Sequence, residues 1–289
     1  MMSPASGSRT PEALNPIGIL DSGVGGLSVL RHIRELLPHE DLQYVADQAH
    51  VPYGSRPAAE ISALSEGITR FLLSMDAKSV VVACNTASAA ALDGLRETFP
   101  DLPIVGMEPA VKPGAVKTRQ GRIGILATAG TFGSQRYAEL MARYAHGVVA
   151  YEDPCTGLVG EIEAGRGNGP ESERILRQAL EPMLGAGVDT FILGCTHYPF
   201  ALPLIRRLVG PEATIIDPAP AVARQVQRVL EQSKLTADRT RPGKTTLFTS
   251  ADPQHLAAVA GQLLNEEFPV NAVTWREDGL YPLAGNDRS

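Results

Sequence analysis

The sequence predicts an α/β protein made of two similar parallel-sheet domains related by pseudo-two-fold symmetry, with an active-site crevice between them. Three observations carry that prediction. Short apolar runs alternate with longer amphipathic stretches along most of the chain, the pattern of βαβ units. The tetrapeptide IGIL occurs twice, at 17–20 and 123–126, each time followed by a turn of small residues. In each half a later apolar run ends at a cysteine with a threonine close behind: Cys84 before Thr86, and Cys195 before Thr196.

Taken in order, the first series places strand patterns at 17–20, 42–47, 79–84 and 103–107. The second places them at 122–128, 148–152, 190–195 and 214–217. Helical periodicity fills the intervals, most clearly at 57–75 and 171–187. After Asp217 come an amphipathic stretch (220–232), a strand-like run (245–250) and a helix-like run (257–268) that belong to neither copy; they are expected to pack back on the first half. The expected division is a discontinuous first domain of 16–111 plus 217–278 and a second of 112–216. The polar ends, 1–15 and 279–289, are expected to be flexible.

The bulk properties narrow the function. A chain of 289 residues with a net charge of −6 lacks the clustered Lys and Arg that phosphate backbones require, so a small-molecule site is expected and direct nucleic-acid binding is not. No apolar stretch follows a basic start at the N-terminus, and the apolar runs near 79–92 and 190–205 are broken by Asn, Thr, His and Pro. The chain therefore reads as cytoplasmic, without a membrane role. Three widely spaced cysteines, Cys84, Cys155 and Cys195, suit free thiols rather than a disulfide framework. They lack C-x-x-C pairing, and no metal site is expected.

Ligands of parallel sheets gather at the carboxyl ends of the strands, and both cysteines fall there. In ACNTAS, Cys84 stands at a strand end where a helical pattern begins, so helix N–H groups favour its thiolate, and Asn85 and Thr86 add donors. In LGCTHYP, His197 stands two residues from Cys195 and can help to move its proton. Either motif alone also fits a packed cysteine with capping neighbours; matched positions in two repeat copies argue against packing as the reason for both. Cys155 has no repeat mate and reads as structural. ILDSGVGGLSV at 19–29 gives a glycine-rich turn before a helix, but its spacing is not G-x-G-x-x-G and no P-loop lysine follows. Asp21 at that strand end would repel a phosphate, and suits a substrate ammonium or a thiol's proton. VPYGSR at 51–56 offers Tyr53 and Gly54, and ATAGTFGS at 127–134 offers the hydroxyls of Thr128 and Thr131.

Two acid/base groups flanking one carbon can remove a proton from one face and deliver one to the other, which inverts a stereocentre beside a carboxylate. A thiol with an ordinary pKa of about 8.5 becomes thiolate at neutral pH at a cost of roughly 2 kcal/mol. Fixed donors must then stabilise the developing carbanion. A pyridoxal-phosphate route would need a Schiff-base lysine; none of the lysines at 78, 112, 117, 234 and 244 lies in these motifs, so a cofactor-free route is favoured.

The segments ILDSGVGGLSVL, VPYGSR, ACNTASA, TAGTFGSQRY and LGCTHYP, in that order across about 16–275, resemble the bacterial glutamate racemases within the wider aspartate/glutamate racemase family. The resemblance implies interconversion of L- and D-glutamate without cofactor, supplying D-glutamate for peptidoglycan and hence for cell-wall biogenesis and cell shape, by a homodimer. It makes Cys84 the base toward D-glutamate and Cys195 the base toward L-glutamate. Asp21 and His197 assist the thiols and join Ser22, Tyr53, Gly54, Asn85, Thr86, Thr131 and Thr196 in binding substrate. Glu163 matches a carboxylate that assists the second thiol, although the local text VGEIEAG departs from the family pattern. The alternatives are racemization of aspartate or another acidic amino acid, and an amino-acid-binding regulator without turnover; the presence of both cysteines counts against the latter. Binding to DNA gyrase, attributed to some members, is left undecided by this acidic sequence.

Overall fold

The structure, a computed structural model, describes residues 12–283. Its first half runs β1 (Ile17–Asp21), α1 (Leu27–Leu36), β2 (Leu42–Ala46), α2 (Ala58–Ser74), β3 (Ser79–Val82), α3 (Asn85–Thr98) and β4 (Ile104–Val105). The second runs α4 (Val111–Lys117), β5 (Arg122–Leu126), α5 (Ala129–Phe132), α6 (Gln135–Tyr144), β6 (Val149–Asp153), α7 (Leu158–Glu163), α8 (Pro170–Gly185), β7 (Thr190–Leu193), α9 (Leu202–Val209) and β8 (Thr214–Ile216). A final segment adds α10 (Ala219–Gln232), β9 (Thr245–Thr249), α11 (Pro253–Leu264), β10 (Val270–Arg276) and β11 (Gly279–Pro282).

The strands form two sheets, ordered β11-β10-β9-β2-β1-β3-β4 and β6-β5-β7-β8. The repeat read from IGIL is visible in that order. β2-β1-β3-β4 and β6-β5-β7-β8 are the same four-stranded parallel arrangement, and the IGIL strand is an inner strand of each. Ile17 stands opposite Leu42 and Ser79, and Ile123 opposite Ala150 and Thr190. Helices cover these inner strands, so β1, β3 and β7 are buried along their whole length and read as continuous apolar runs rather than alternating ones.

The glycine of IGIL serves the same purpose twice. A Cβ on Gly18 would stand 3.0 Å from Leu72 of α2, and one on Gly124 2.9 Å from Met183 of α8 and from Phe191. Each glycine lets the helix that precedes the cysteine-bearing strand settle directly on the neighbouring strand, which fixes that strand's depth.

The segment after Asp217 extends the first sheet: β9 pairs parallel with β2, β10 parallel with β9, and β11 antiparallel with β10. Residues 279–282, expected to be part of a flexible end, form β11, because a turn at 277–278 folds them back to pair with Val273–Arg276. The same expectation for 1–11 and 284–289 lies outside the described residues. The helix expected at 257–268 runs instead from Pro253 to Leu264. Asp252 caps its start by accepting from the Gln254 N–H at 2.9 Å, and Asn265, in the left-handed region, ends it. Among the described residues no helix is long and apolar enough to cross a membrane.

Gly124→Ala is expected to destabilise the protein by about 1–3 kcal/mol through overpacking against Met183 and Phe191. Urea denaturation measures this; an unchanged midpoint would show that α8 is free to shift.

Candidate functional site

The carboxyl ends of β1, β3, β5 and β7, the inner strands that match across the repeat, converge at the seam between the sheets. Cys84 follows β3 as the N-cap of α3, its Sγ accepting from the Ala87 N–H at 3.4 Å. Cys195 follows β7. Both line one small cavity, together with Ser22, Pro52, Tyr53, Gly54, Asn85, Thr86, Thr128, Val159, Thr196 and His197. Both thiols are buried and free.

The two thiols have different neighbours. Cys84 Sγ donates to Ser22 Oγ at 4.0 Å, and that hydroxyl donates to Asp21 Oδ1 at 3.0 Å. Asp21 Oδ1 also accepts from the Gly23 N–H at 3.0 Å, and Oδ2 from Thr196 Oγ1 at 3.0 Å. Burial pushes the Asp21 carboxyl up to about 6 against the lowering effect of His197 and these donors. Burial, and then the charge of Asp21, pushes the Cys84 thiol up to about 12 and outweighs the lowering by the Ala87 N–H, so this sulfur holds its proton in the resting site. The thiolate expected at this helix start is therefore not the resting form.

Cys195 instead has an imidazole beside it, with His197 Nδ1 at 3.7 Å from Sγ. His197 Nε2 bonds Glu163 Oε1 at 2.6 Å. Burial disfavours the imidazolium, but the bonds to Cys195 and Glu163 outweigh it and lift the His197 pKa well above the ordinary range. Glu163 is buried too, yet its donors, His197, Gln48 at 2.9 Å and the Val24 N–H at 2.7 Å, hold it below the ordinary carboxylate range.

The glycine-rich turn now has a physical reason. It does hold an anion: the protein's own Glu163, bound by the backbone N–H of Val24 just before α1. A Cβ on Gly23 would collide with the Glu163 carboxylate, and one on Gly25 with the His197 ring and Thr196 Oγ1. The glycines are there so that the first half's backbone can lie against the second half's side chains.

The predicted residues fall into three groups. Ser22, Tyr53, Gly54, Asn85, Thr86, Thr196 and His197 line the cavity with the cysteines. Asp21 and Glu163 stand behind it, acting on Ser22, Thr196 and His197. Thr131 does not reach this cavity. It lines an adjoining one with Asn85, and its hydroxyl joins those of Thr86 and Thr128 at 3.4 and 3.1 Å. Tyr53 contributes its ring and backbone, because its hydroxyl is committed to Asp47 Oδ2 at 2.7 Å. Asn85 is buried with neither amide atom bonded within the protein, which leaves a donor and an acceptor for a ligand. Cys155 packs in the apolar core.

Pro52, Val159 and Gln48 were not singled out from the sequence. Pro52 and Val159 are ordinary apolar residues with no local signal. The turn's own geometry is the signal for a carboxylate partner: free N–H groups at a buried helix start need one.

The tips of the two halves meet over the cavity. A Cβ on Gly54 would stand 2.8 Å from Thr128 Cβ, and one on Gly130 2.9 Å from the Gly54 carbonyl oxygen. Thr86 Oγ1 and Thr128 Oγ1 are 2.8 Å apart across the same seam.

The sequence model of the Asp/Glu/hydantoin racemases matches residues 17–226. A glutamate racemase of Ectopseudomonas mendocina is 52% identical over 257 residues, covering 89% of this chain and 97% of that protein. One of Pseudomonas aeruginosa is 51% identical over 243 residues, covering 84% and 91%. Among solved structures, a glutamate racemase isoform of Bacillus anthracis superposes with a TM-score of 0.82 at 31% identity, covering 92% of this chain and 98% of that one. The Escherichia coli glutamate racemase in complex with L-glutamate and the activator UDP-MurNAc-Ala superposes with a TM-score of 0.80 at 32% identity, covering 93% and 100%.

Asp21→Asn is expected to stabilise the fold, and to do so by about 1–2 kcal/mol more at pH 8 than at pH 5. The folded-state pKa of Asp21 is raised from 3.8 to about 6, so the wild type loses stability as pH rises through that window, while asparagine has no charge to bury. Chemical denaturation at the two pH values measures it; an equal gain at both would show that ionisation of Asp21 carries no such cost.

Proposed function

The chain belongs to the Asp/Glu/hydantoin racemase family, and on that premise we propose that it interconverts L- and D-glutamate, with Cys84 and Cys195 as the two opposed acid/base groups. The observation that carries the proposal is one cavity lined by two thiols from matched strand ends, one kept protonated and the other paired with an imidazole.

In the L-to-D direction Cys195, as thiolate against His197, takes the α-proton. The C–H electron pair stays on the α-carbon and spreads into the carboxylate. Cys84, holding its proton, delivers it to the opposite face. The product leaves Cys84 as thiolate and Cys195 as thiol, and the reverse turnover uses them in that state. The Ser22 hydroxyl offers Cys84 a path to Asp21, whose pKa near 6 suits proton exchange at neutral pH. The Asn85 amide and the Thr86 and Thr196 hydroxyls, with backbone N–H groups at the strand ends, supply donors for the substrate carboxylates and for charge developing at the α-carbon. Burial of the cavity excludes the water that would otherwise compete for these donors.

On this reading the protein provides D-glutamate for peptidoglycan. The 52%-identical relative, matched over nearly its whole length, supports glutamate rather than aspartate as the substrate.

Incubated with L-glutamate in deuterated water without added cofactor, the dialysed protein is expected to lose optical rotation as deuterium enters the inverted product. Folded protein that changes neither signal on glutamate but does so on aspartate would overturn the substrate assignment. Replacing either thiol, as Cys84→Ala or Cys195→Ala, is expected to lower racemization by about 10²–10⁴-fold or more; full activity in either variant would remove the two-thiol mechanism.

A further inference from the structure

Behind the Cys195 arm lies a polar chain that leaves the cavity and runs back into the extended sheet. Glu163 Oε2 accepts from Gln48 Nε2 at 2.9 Å, and Gln48 Oε1 accepts from Thr249 Oγ1 at 2.9 Å. Thr249 is fully buried at the end of β9, and Gln48 lies two residues past β2. The direction of every bond in this chain is forced. The Ala251 N–H, which can only donate, gives its proton to Thr249 Oγ1 at 3.1 Å. Glu163, as an ionised carboxylate, can only accept and so takes the Gln48 NH₂; this leaves Gln48 Oε1 to accept the Thr249 proton. A flipped amide would set an oxygen against Glu163.

We propose that Gln48, oriented by Thr249, is a positioning residue for the Cys195 arm: it fixes the Glu163 carboxylate and, through it, the His197 ring against the thiol. The proposal rests on the two-thiol reading above for its catalytic meaning, but its structural content stands on the hydrogen bonds alone. Glu163 Oε1 serves both Val24 and His197, at 2.7 and 2.6 Å, so a carboxylate free to turn about its Cγ–Cδ bond could give His197 a poorer partner. Gln48 holds the second oxygen and removes that freedom. It does so without charge, whereas a cation at the same place would compete with the imidazolium for Glu163. The titratable groups facing this pair are Asp21, Tyr44, Cys195 and, on the Glu163 carbonyl at 2.9 Å, His255. Each remains in place when Gln48 is changed. The arrangement also gives β9 a role at the site: a strand from the C-terminal segment, which has no counterpart in the second sheet, supports the Cys195 arm through Thr249.

Gln48→Met and Thr249→Val test the proposal together, since the second variant keeps Gln48 and Glu163 and cannot share a folding defect at position 48. Two measurements are made on each: kcat and KM for glutamate across pH, and the titration of the His197 ring by nuclear magnetic resonance, assigned with His197→Gln. Gln48→Met is expected to lower kcat by about 3–10-fold, to leave KM within about twofold, and to move the acid limb of the kcat profile to higher pH, because Glu163 with one donor fewer takes up a proton more readily. The His197 ring should lose its proton at lower pH than in the wild type. Thr249→Val should shift both in the same direction by less. An unmoved acid limb together with an unmoved His197 titration would overturn the proposal, whatever happens to kcat. If the wild type fails to racemize glutamate while the His197 titration shifts as described, the functional reading falls and the positioning role of Gln48 stands.

Discussion

Two carboxylates, Asp21 and Glu163, are buried at the seam between the sheets, and a buried carboxylate persists only when its oxygens are saturated with donors. Each draws part of its donor set from across the seam. Asp21, on the first half, takes Thr196 from the second; Glu163, on the second, takes Val24 and Gln48 from the first. Neither set is complete unless the halves are docked in one relation. That requirement fixes how far the matched strand ends stand from one another, and with them the cysteines that the sequence places at those ends.

The halves repeat in topology and differ in chemistry. Each sets a cysteine at the end of a buried inner strand with a settled helix beside it. The partners then diverge: Cys84 reaches its carboxylate through the Ser22 hydroxyl, and Cys195 reaches its own through the His197 imidazole. Perfect symmetry would give two thiols in the same protonation state. The unequal neighbours set the two apart: burial and the charge of Asp21 keep the proton on Cys84, while Cys195 stands beside an imidazole.

Much of this is legible in the chain. The IGIL repeat and the strand-end cysteines give the two parallel sheets and the seam, because buried parallel strands carry an unbroken apolar signature. The pocket residues within a few positions of the cysteines, Asn85, Thr86, Thr196 and His197, follow from the same reading, and Ser22 from the family resemblance. What escapes it lies at longer range or lower contrast. β11 is four residues beginning with a glycine, and only its antiparallel partner makes it a strand. The glycine-rich turn reads as an unsatisfying phosphate site because the anion it holds is 139 residues away in the chain. Gln48 carries no motif at all; its role depends on a threonine in the last part of the fold. Thr131 looks equivalent to Thr128 in sequence and is separated from it by one helical turn, which points it into the neighbouring cavity.

The contact between the two tips has a thermodynamic consequence. Gly54 and Gly130 meet as bare backbone, with only Thr86 and Thr128 completing the seam. Glycine has no side-chain rotamers to freeze, so shutting these tips over a ligand forfeits almost none of the conformational entropy that longer side chains would lose. Little of a small ligand's attraction is then consumed in freezing side chains at the entrance, and the ordering cost that remains is that of the glycine backbone. For a molecule offering only two carboxylates and an ammonium, that economy decides how much of its affinity is left for distinguishing one face of the α-carbon from the other.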